Sequence, residues 1–152
     1  APFDIVAMIR DLKQLHSLSS SSHVIQISRN VEPLIVEGDA KKIRQLFSNL
    51  INNAIKYSPA GGTIQIQLTQ QETRVTVAIQ DNGIGIPASA MSNLFQKFYR
   101  VDNSDTRQIG GTGLGLSICR EIARGHDGEI HVESIEGQGS TFTVELPLTQ
   151  HT

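Results

Sequence analysis

The sequence has 152 residues, of which 38% are hydrophobic and 18% charged, a composition typical of one globular domain that buries a core without disulfide bonds. A net charge of −2 gives no general attraction to nucleic acids or anionic membranes, so any anionic ligand has to be held by local groups. The one cysteine, Cys119, excludes an internal disulfide bond and a multi-cysteine zinc site. Its place in an apolar helical pattern predicts a packed thiol. No segment approaches the about 20 apolar residues of a membrane span.

The first half of the chain begins with a helical pattern. Asp4 is placed to cap a helix over residues 5–16. The segments HVIQISR and PLIVEG then predict two strands. Asp39 follows as the cap of the longest helical pattern, residues 40–58, which a proline and two glycines end.

The second half of the chain contains two hairpin patterns. The alternating segments TIQIQLTQ and RVTVAIQ predict an antiparallel hairpin with its turn at Gln71 and Glu72. The segment ASAMSNLFQKFYR predicts a helix with Pro87 as its first residue. LSICREIARG predicts a further helix, and EIHVESI with STFTVELP predicts a last hairpin. This order favours an α+β fold, a mixed sheet with helices packed on one face.

The segment DNGIGIP, residues 81–87, places Asp81 where a strand ends. Gly83 and Gly85 can adopt backbone angles that other residues avoid, and they let a ligand come close to the chain. A tight strand-to-helix turn with a capping aspartate would have the same composition. Taken alone, the segment leaves both interpretations open.

The long helix carries a polar stripe along the edge of its apolar face. At about 100° of rotation per residue, Asn49, Asn53 and Lys56 fall within an arc of roughly 60°. Amide oxygens are hard neutral ligands that suit Mg²⁺, and a lysine supplies a point charge to a phosphate. Solvated asparagines on a helix surface are the alternative.

The glycine-rich segment GGTGLGLS, residues 110–117, leads into a helix. Backbone amides at a helix N-terminus can bind phosphate, although a flexible loop ending in a helix cap has the same pattern. The segment is not a P-loop, because no Gly-Lys-Ser/Thr is present. It also does not match the dinucleotide fingerprint, because no strand leads into it and the glycine spacing differs.

Four segments in a fixed order carry a resemblance to a known family. NLINNAIKYSP, DNGIGIP, LFQKFYRVD and GGTGLGLSI resemble the N, G1, F and G2 boxes of sensor histidine kinases in the GHKL superfamily. The resemblance runs from about Phe3 to Leu148. It implies an α/β sandwich of the Bergerat type, in which a mixed, mostly antiparallel sheet is covered on one face by three helices. It also implies that ATP binds between the helices and a mobile lid.

The resemblance implies roles for the residues of the first two boxes. Asn53 would bind Mg²⁺ with help from Asn49. Lys56 would lie near the phosphates and Tyr57 beside the adenine or ribose. Asp81 would accept a hydrogen bond from the adenine amino group, with Gly83, Gly85 and Ile86 turning under the base.

The later boxes imply the rest of the ATP site. Phe95 and Phe98 would anchor the lid over residues 101–112, with Lys97 and Arg100 facing the phosphates. Together with Asn49 and Lys56, these two cations would form the catalytic set. The remaining positions that the resemblance assigns to ATP are Gly111, Thr112, Gly113, Leu114, Gly115, Leu116 and Thr141.

By the same resemblance, the chain is expected to transfer the γ-phosphate of ATP to a histidine on a dimerisation domain in two-component signalling. His16 and His23 lack the surroundings of a phosphoacceptor, and the chain starts at Ala1. We therefore expect residues 1–152 to be one catalytic domain without autophosphorylation, with the dimerisation domain upstream. A response regulator, but no nucleic acid, is expected as partner. We expect a cytoplasmic domain, monomeric alone and homodimeric in the parent, whose membrane attachment stays open.

Two other functions compete with this one. Superfamily ATPases that drive a conformational clamp carry a glutamate at the first position of the N box, where this chain has Asn49. A nucleotide-binding module without catalysis is disfavoured because all four boxes are intact. Of the other histidines, His126 in GHDGEI is expected to be a packing residue, and His131 lies in the middle of a strand.

Overall fold

The computed structural model describes residues 1–19, 22–28, 33–96 and 115–149. Within these ranges the chain forms two sheets, three α-helices and one 3₁₀-helix. The strands are β1 (Pro2–Asp4), β2 (His23–Ile27), β3 (Ile35–Glu37), β4 (Gly62–Gln71), β5 (Arg74–Asp81), β6 (Glu129–Ile135) and β7 (Gly139–Pro147). The helices are α1 (Ile5–Ser19), α2 (Ala40–Lys56), the 3₁₀-helix (Ala88–Asn93) and α3 (Gly115–Gly125).

The main sheet has five strands in the order β2-β4-β5-β7-β6. Strand β2 pairs with β4 in parallel, and the three other pairs are antiparallel. The predicted mixed, mostly antiparallel sheet is therefore confirmed. Strands β1 and β3 form a separate antiparallel pair, of which the sequence pattern predicted only the second strand, since three residues are too few to show a period.

The core lies between one face of the main sheet and the helices. On β5, Val75, Val77 and Ile79 are buried, while Gln80 is exposed. Helix α2 covers this row with a buried face made of Ile43, Leu46, Phe47, Leu50, Ile51 and Ala54. Because strand side chains alternate with a period of two, the same helix-facing row ends at Asp81.

Capping residues set the starts of the first two helices. The Asp39 side chain accepts hydrogen bonds from the backbone amides of Lys41 (3.1 Å) and Lys42 (3.2 Å), as the sequence predicted. Asp4 Oδ1 accepts from the amide of Val6 (3.0 Å) and also from that of Leu34 (3.1 Å). The second bond ties the beginning of α1 to the segment that leads into β3.

The helix predicted after DNGIGIP is shorter than expected. Only a 3₁₀-helix forms over Ala88–Asn93, and Pro87 precedes it in an extended conformation with ψ of 141°, so Pro87 is not the first helical residue. No side chain caps this helix, and its two serines and its asparagine are weak helix formers. The end of the predicted helix, residues 97–100, lies outside the described residues.

Two predicted packing residues hold the helices together. Cys119 is fully buried on α3, and its thiol donates to the backbone oxygen of Leu46 at 3.6 Å. His126 accepts the amide hydrogen of Asp39 at Nε2 (3.0 Å), so its proton lies on Nδ1, which donates to the Ile122 oxygen (2.8 Å). The imidazole therefore connects the end of α3 to the start of α2, as expected of a packing residue.

We predict that His126→Ala lowers the free energy of unfolding by about 1–2 kcal/mol, because the imidazole makes two hydrogen bonds to backbone groups. His131→Ala is the matched control, since His131 on β6 is 61% exposed, and it should stay within about 0.5 kcal/mol of the parent. Urea unfolding followed by circular dichroism measures both. Equal effects of the two substitutions would contradict the packing role of His126.

Candidate functional site

A buried carboxylate lies at the end of β5. Asp81 is 5% exposed, and its Oδ1 accepts a hydrogen bond from the Gly83 amide at 2.9 Å. Burial raises the pKa of Asp81 above its ordinary value, and the nearby backbone amides of Gly83 and Ser140 offset this effect in part. A carboxylate has about four acceptor positions, so capacity remains for a ligand.

The turn that follows Asp81 is held from two sides by backbone hydrogen bonds. On one side, the Ile84 amide donates to the oxygen of Tyr57, the residue that ends α2 (2.9 Å). On the other side, the Gly137 amide in the β6–β7 turn donates to the Ile84 oxygen (2.7 Å). The turn therefore lies between the C-terminus of α2 and the last hairpin.

The two glycines of the turn are required by protein packing. A Cβ at Gly83 would lie 1.9 Å from the Tyr57 oxygen, and one at Gly85 would lie 2.2 Å from the Ile135 oxygen. Only Gly85 of the two has a positive φ, +71°. Packing against protein backbone therefore requires both glycines, and the approach of a ligand to them stays a prediction.

The polar stripe of α2 lies beside α3. Asn49 and Asn53 are half-buried, and Lys56 is exposed. Burial raises the pKa of the Cys119 thiol on α3 to about 12, and the nearby Asn49 side chain offsets this effect in part. Tyr57 is half-buried and donates its backbone amide hydrogen to the backbone oxygen of Asn53 (2.9 Å). Asn49 therefore lies near α3, and Asn53 lies about one turn further along α2, toward the end where Tyr57 meets the turn after Asp81.

The register of β7 corrects one predicted residue. Asp81 pairs with Ser140, whereas Thr141 pairs with Gln80 and belongs to the opposite face of the sheet. Ser140, together with Ser134 of β6 in the same row, was missed by the sequence analysis. Counting the alternation back from Phe142, which is buried, would have selected Ser140.

Further predicted residues line the core near the site. Ile86 is 9% exposed and belongs to the core, and Phe95 and Leu116 pack against that core. The Arg120 guanidinium lies 5.2 Å from the centre of the Phe95 ring. Gly115 begins α3. The other predicted positions lie outside the described residues; they are Lys97, Phe98, Arg100, Gly111, Thr112, Gly113, Leu114 and the expected lid over 101–112.

The donor chemistry of α2 fits a magnesium ion. In the ranges that the structure describes, no group of three or more His, Cys, Asp and Glu side chains could hold a metal. Neutral amide oxygens on one helix edge suit an ion that keeps several waters and binds phosphate oxygens. Asn49 and Asn53 are the described residues with that chemistry beside the site.

Comparison with known proteins identifies the family and the fold of the chain. Residues 38–150 match the family of histidine kinase-, DNA gyrase B- and HSP90-like ATPases. The chain is 44% identical over 134 residues to the sensor histidine kinase WalK of Bacillus subtilis, and 38% identical over 146 residues to the sensor protein kinase WalK of Staphylococcus saprophyticus. These matches cover 86% and 95% of this chain but 22% and 24% of the relatives.

Solved structures give the same result. The mycobacterial sensor histidine kinase MprB has a TM-score of 0.84 at 26% identity over 99% of both chains. The catalytic domain of histidine kinase ThkA has a TM-score of 0.81 at 31% identity, over 99% of this chain and 98% of its own. The chain therefore belongs to the histidine kinase-, DNA gyrase B- and HSP90-like ATPases, as an ATP-binding catalytic domain of the sensor histidine kinase type. None of the described helices is long and apolar enough to span a membrane.

We predict a specific pH dependence for Asp81→Asn. The raised pKa means that the folded chain holds the Asp81 proton more tightly than the unfolded chain does. Asp81 therefore lowers the free energy of unfolding progressively as pH rises from its ordinary pKa of 3.8 through its pKa in the folded chain. The difference in unfolding free energy, variant minus parent, should therefore shift in favour of the variant between pH 4 and pH 7. Urea unfolding of both proteins at several pH values measures this shift, and a pH-independent difference would contradict it.

Proposed function

We propose that this chain binds Mg-ATP and transfers the γ-phosphate to a histidine side chain on the dimerisation domain of a sensor histidine kinase. The observation that carries the proposal is the Asp81 carboxylate, buried in the helix-facing row of β5 with unused acceptor capacity. The family of the chain supports ATP as the ligand. The related full-length ShkA, with a TM-score of 0.81, was solved in complex with AMPPNP.

Base choice follows from the chemistry of Asp81. An ionised carboxylate accepts hydrogen bonds and donates none. Adenine presents an amino donor at C6, whereas guanine presents a carbonyl oxygen there. A guanine would therefore leave a buried charge without a partner, at a cost of about 1–3 kcal/mol or more.

The α2 amides supply the phosphate end of the proposed site. Asn53, assisted by Asn49, would hold Mg²⁺, which neutralises charge on the phosphate oxygens when it is bound. Lys56 would add a cation at the same end of the helix. Lys97, Arg100 and the glycines at 111, 113 and 115 stay predictions for the groups that complete this end.

A kinase is favoured over an ATPase because of Asn49. Hydrolysis requires a general base within hydrogen-bond reach of the attacking water. The side-chain amide of Asn49 has no basic lone pair at neutral pH. The γ-phosphate is then left for an external nucleophile. In the proposed transfer, an imidazole nitrogen attacks the γ-phosphorus, and the bond from that phosphorus to the ADP oxygen breaks.

The whole signalling protein is part of the proposal. The chain spans 22–24% of the length of the WalK relatives quoted above. We infer the phosphoacceptor domain, the response regulator and the homodimer from the fact that these relatives are named sensor kinases. A cytoplasmic location for the domain is proposed on the same ground.

Asn53→Ala should remove most of the Mg²⁺-dependent part of ATP affinity, because it deletes the proposed metal ligand. Asn52→Ala is the matched control, since Asn52 is the adjacent asparagine of α2 and is exposed. Calorimetric titration with ATP, in Mg²⁺ and in EDTA, measures the effect. An equal Mg²⁺ effect in Asn53→Ala and in the parent would refute the metal role.

The chain alone should release phosphate slowly and should not label itself. With γ-labelled ATP, we expect label to appear only after a histidine-bearing dimerisation domain is added, and to appear on that domain. The same domain with its histidine replaced is the control. Turnover near 10 per second by the chain alone, a median enzyme rate, would favour the ATPase function. Label on His16 or His23 would contradict the need for an external acceptor.

A further inference from the structure

Ser134 of β6 makes three hydrogen bonds with one hydroxyl group. The Ile86 amide donates to its Oγ at 2.8 Å. The Oγ donates to the Gly139 oxygen at 2.9 Å, and it lies 2.8 Å from the Ser140 Oγ. A serine hydroxyl has one hydrogen and two lone pairs. Since the carbonyl can only accept, Ser134 donates to Gly139 and accepts from both Ile86 and Ser140.

These three contacts join the two segments that orient Asp81. The Ile86 amide belongs to the turn that contains Gly83, whose amide donates to Asp81. Gly139 and Ser140 belong to β7, where Ser140 is the residue that pairs with Asp81. The Ser134 hydroxyl thus connects the turn that holds the Asp81 carboxylate to the strand that pairs with Asp81.

The same hydrogen-bond assignment determines whether the Ser140 hydroxyl acts as a donor or as an acceptor. Its hydroxyl hydrogen points to Ser134, so toward any other neighbour Ser140 offers lone pairs alone. Ser140 shares the helix-facing row with Asp81 and is 8% exposed. Both side chains at the end of that row therefore accept hydrogen bonds, which favours a ligand group that donates.

We propose that Ser134 is a positioning residue for base selection: its hydroxyl holds the turn after Asp81 against Gly139 and Ser140 and keeps Ser140 an acceptor. This inference rests on the proposed binding of ATP. Loss of the hydroxyl would free the Ser140 hydrogen to face a carbonyl oxygen and would loosen the turn whose Gly83 amide orients the carboxylate. Discrimination between an amino group and a carbonyl at C6 of the purine would then weaken.

The test compares Ser134→Val with Ser134→Thr, which have the same shape and differ by the hydroxyl group; both suit a strand. Affinities for ATP and ITP are measured by calorimetry, because ITP carries a carbonyl oxygen at C6. We expect the parent and the Thr variant to share one ATP-to-ITP ratio, and the Val variant to lower that ratio about threefold to tenfold, as the loss of hydrogen bonds of ordinary strength implies. Thermal melts report folding separately.

Each outcome decides between two claims. A parent that binds ATP no better than ITP would overturn base selection by Asp81, and with it this inference. A parent that prefers ATP, together with an unchanged ratio in Ser134→Val, would overturn the role of Ser134 alone. If the Val variant does not fold, Ser134→Cys keeps the side-chain size with weaker hydrogen bonds, and an unchanged ratio in that variant would overturn the proposal equally.

Discussion

A charged group at the end of a buried row is the constraint on which the site depends. Asp81 continues the row of Val75, Val77 and Ile79 into the space between the sheet and the helices. Burial of a carboxylate is costly unless hydrogen bonds replace water, and the amide of Gly83 supplies one of them. The remaining acceptor capacity makes this position suited to a ligand that donates hydrogen bonds.

The surrounding backbone holds in place the turn that supplies the Gly83 amide. The turn after Asp81 contacts the end of α2 through Tyr57 so closely that a side chain at Gly83 would not fit. Gly139 has a φ of +124°, and a Cβ there would lie 2.1 Å from the backbone oxygen of Asp81. The end of α2, the turn after Asp81 and the β6–β7 hairpin therefore meet at Asp81. The side-chain amides of Asn49 and Asn53 lie along the adjoining edge of α2.

Sequence patterns predict the structure correctly where it depends on neighbouring residues alone. Asp39 capped α2 as predicted, the hairpins followed the period of two, and Cys119 and His126 were correctly assigned to packing. Contacts between distant segments could not be predicted from the sequence pattern. The role of Gly83 depends on Tyr57, which lies in another element, and the row of Ser140 depends on the register of β5 with β7. That is why Thr141 was chosen wrongly and why Ser134 was missed.

The proposed pairing between Asp81 and the amino group of adenine is tested most directly by a cycle that combines a protein substitution with a change of ligand. The parent and Asp81→Ala are each titrated by calorimetry with ATP and with purine riboside triphosphate, which lacks the amino group. The parent should prefer ATP about tenfold or more, as expected for a hydrogen bond to a charged acceptor, and Asp81→Ala should bind both nucleotides equally. The same preference in both proteins would show that Asp81 does not contact the amino group.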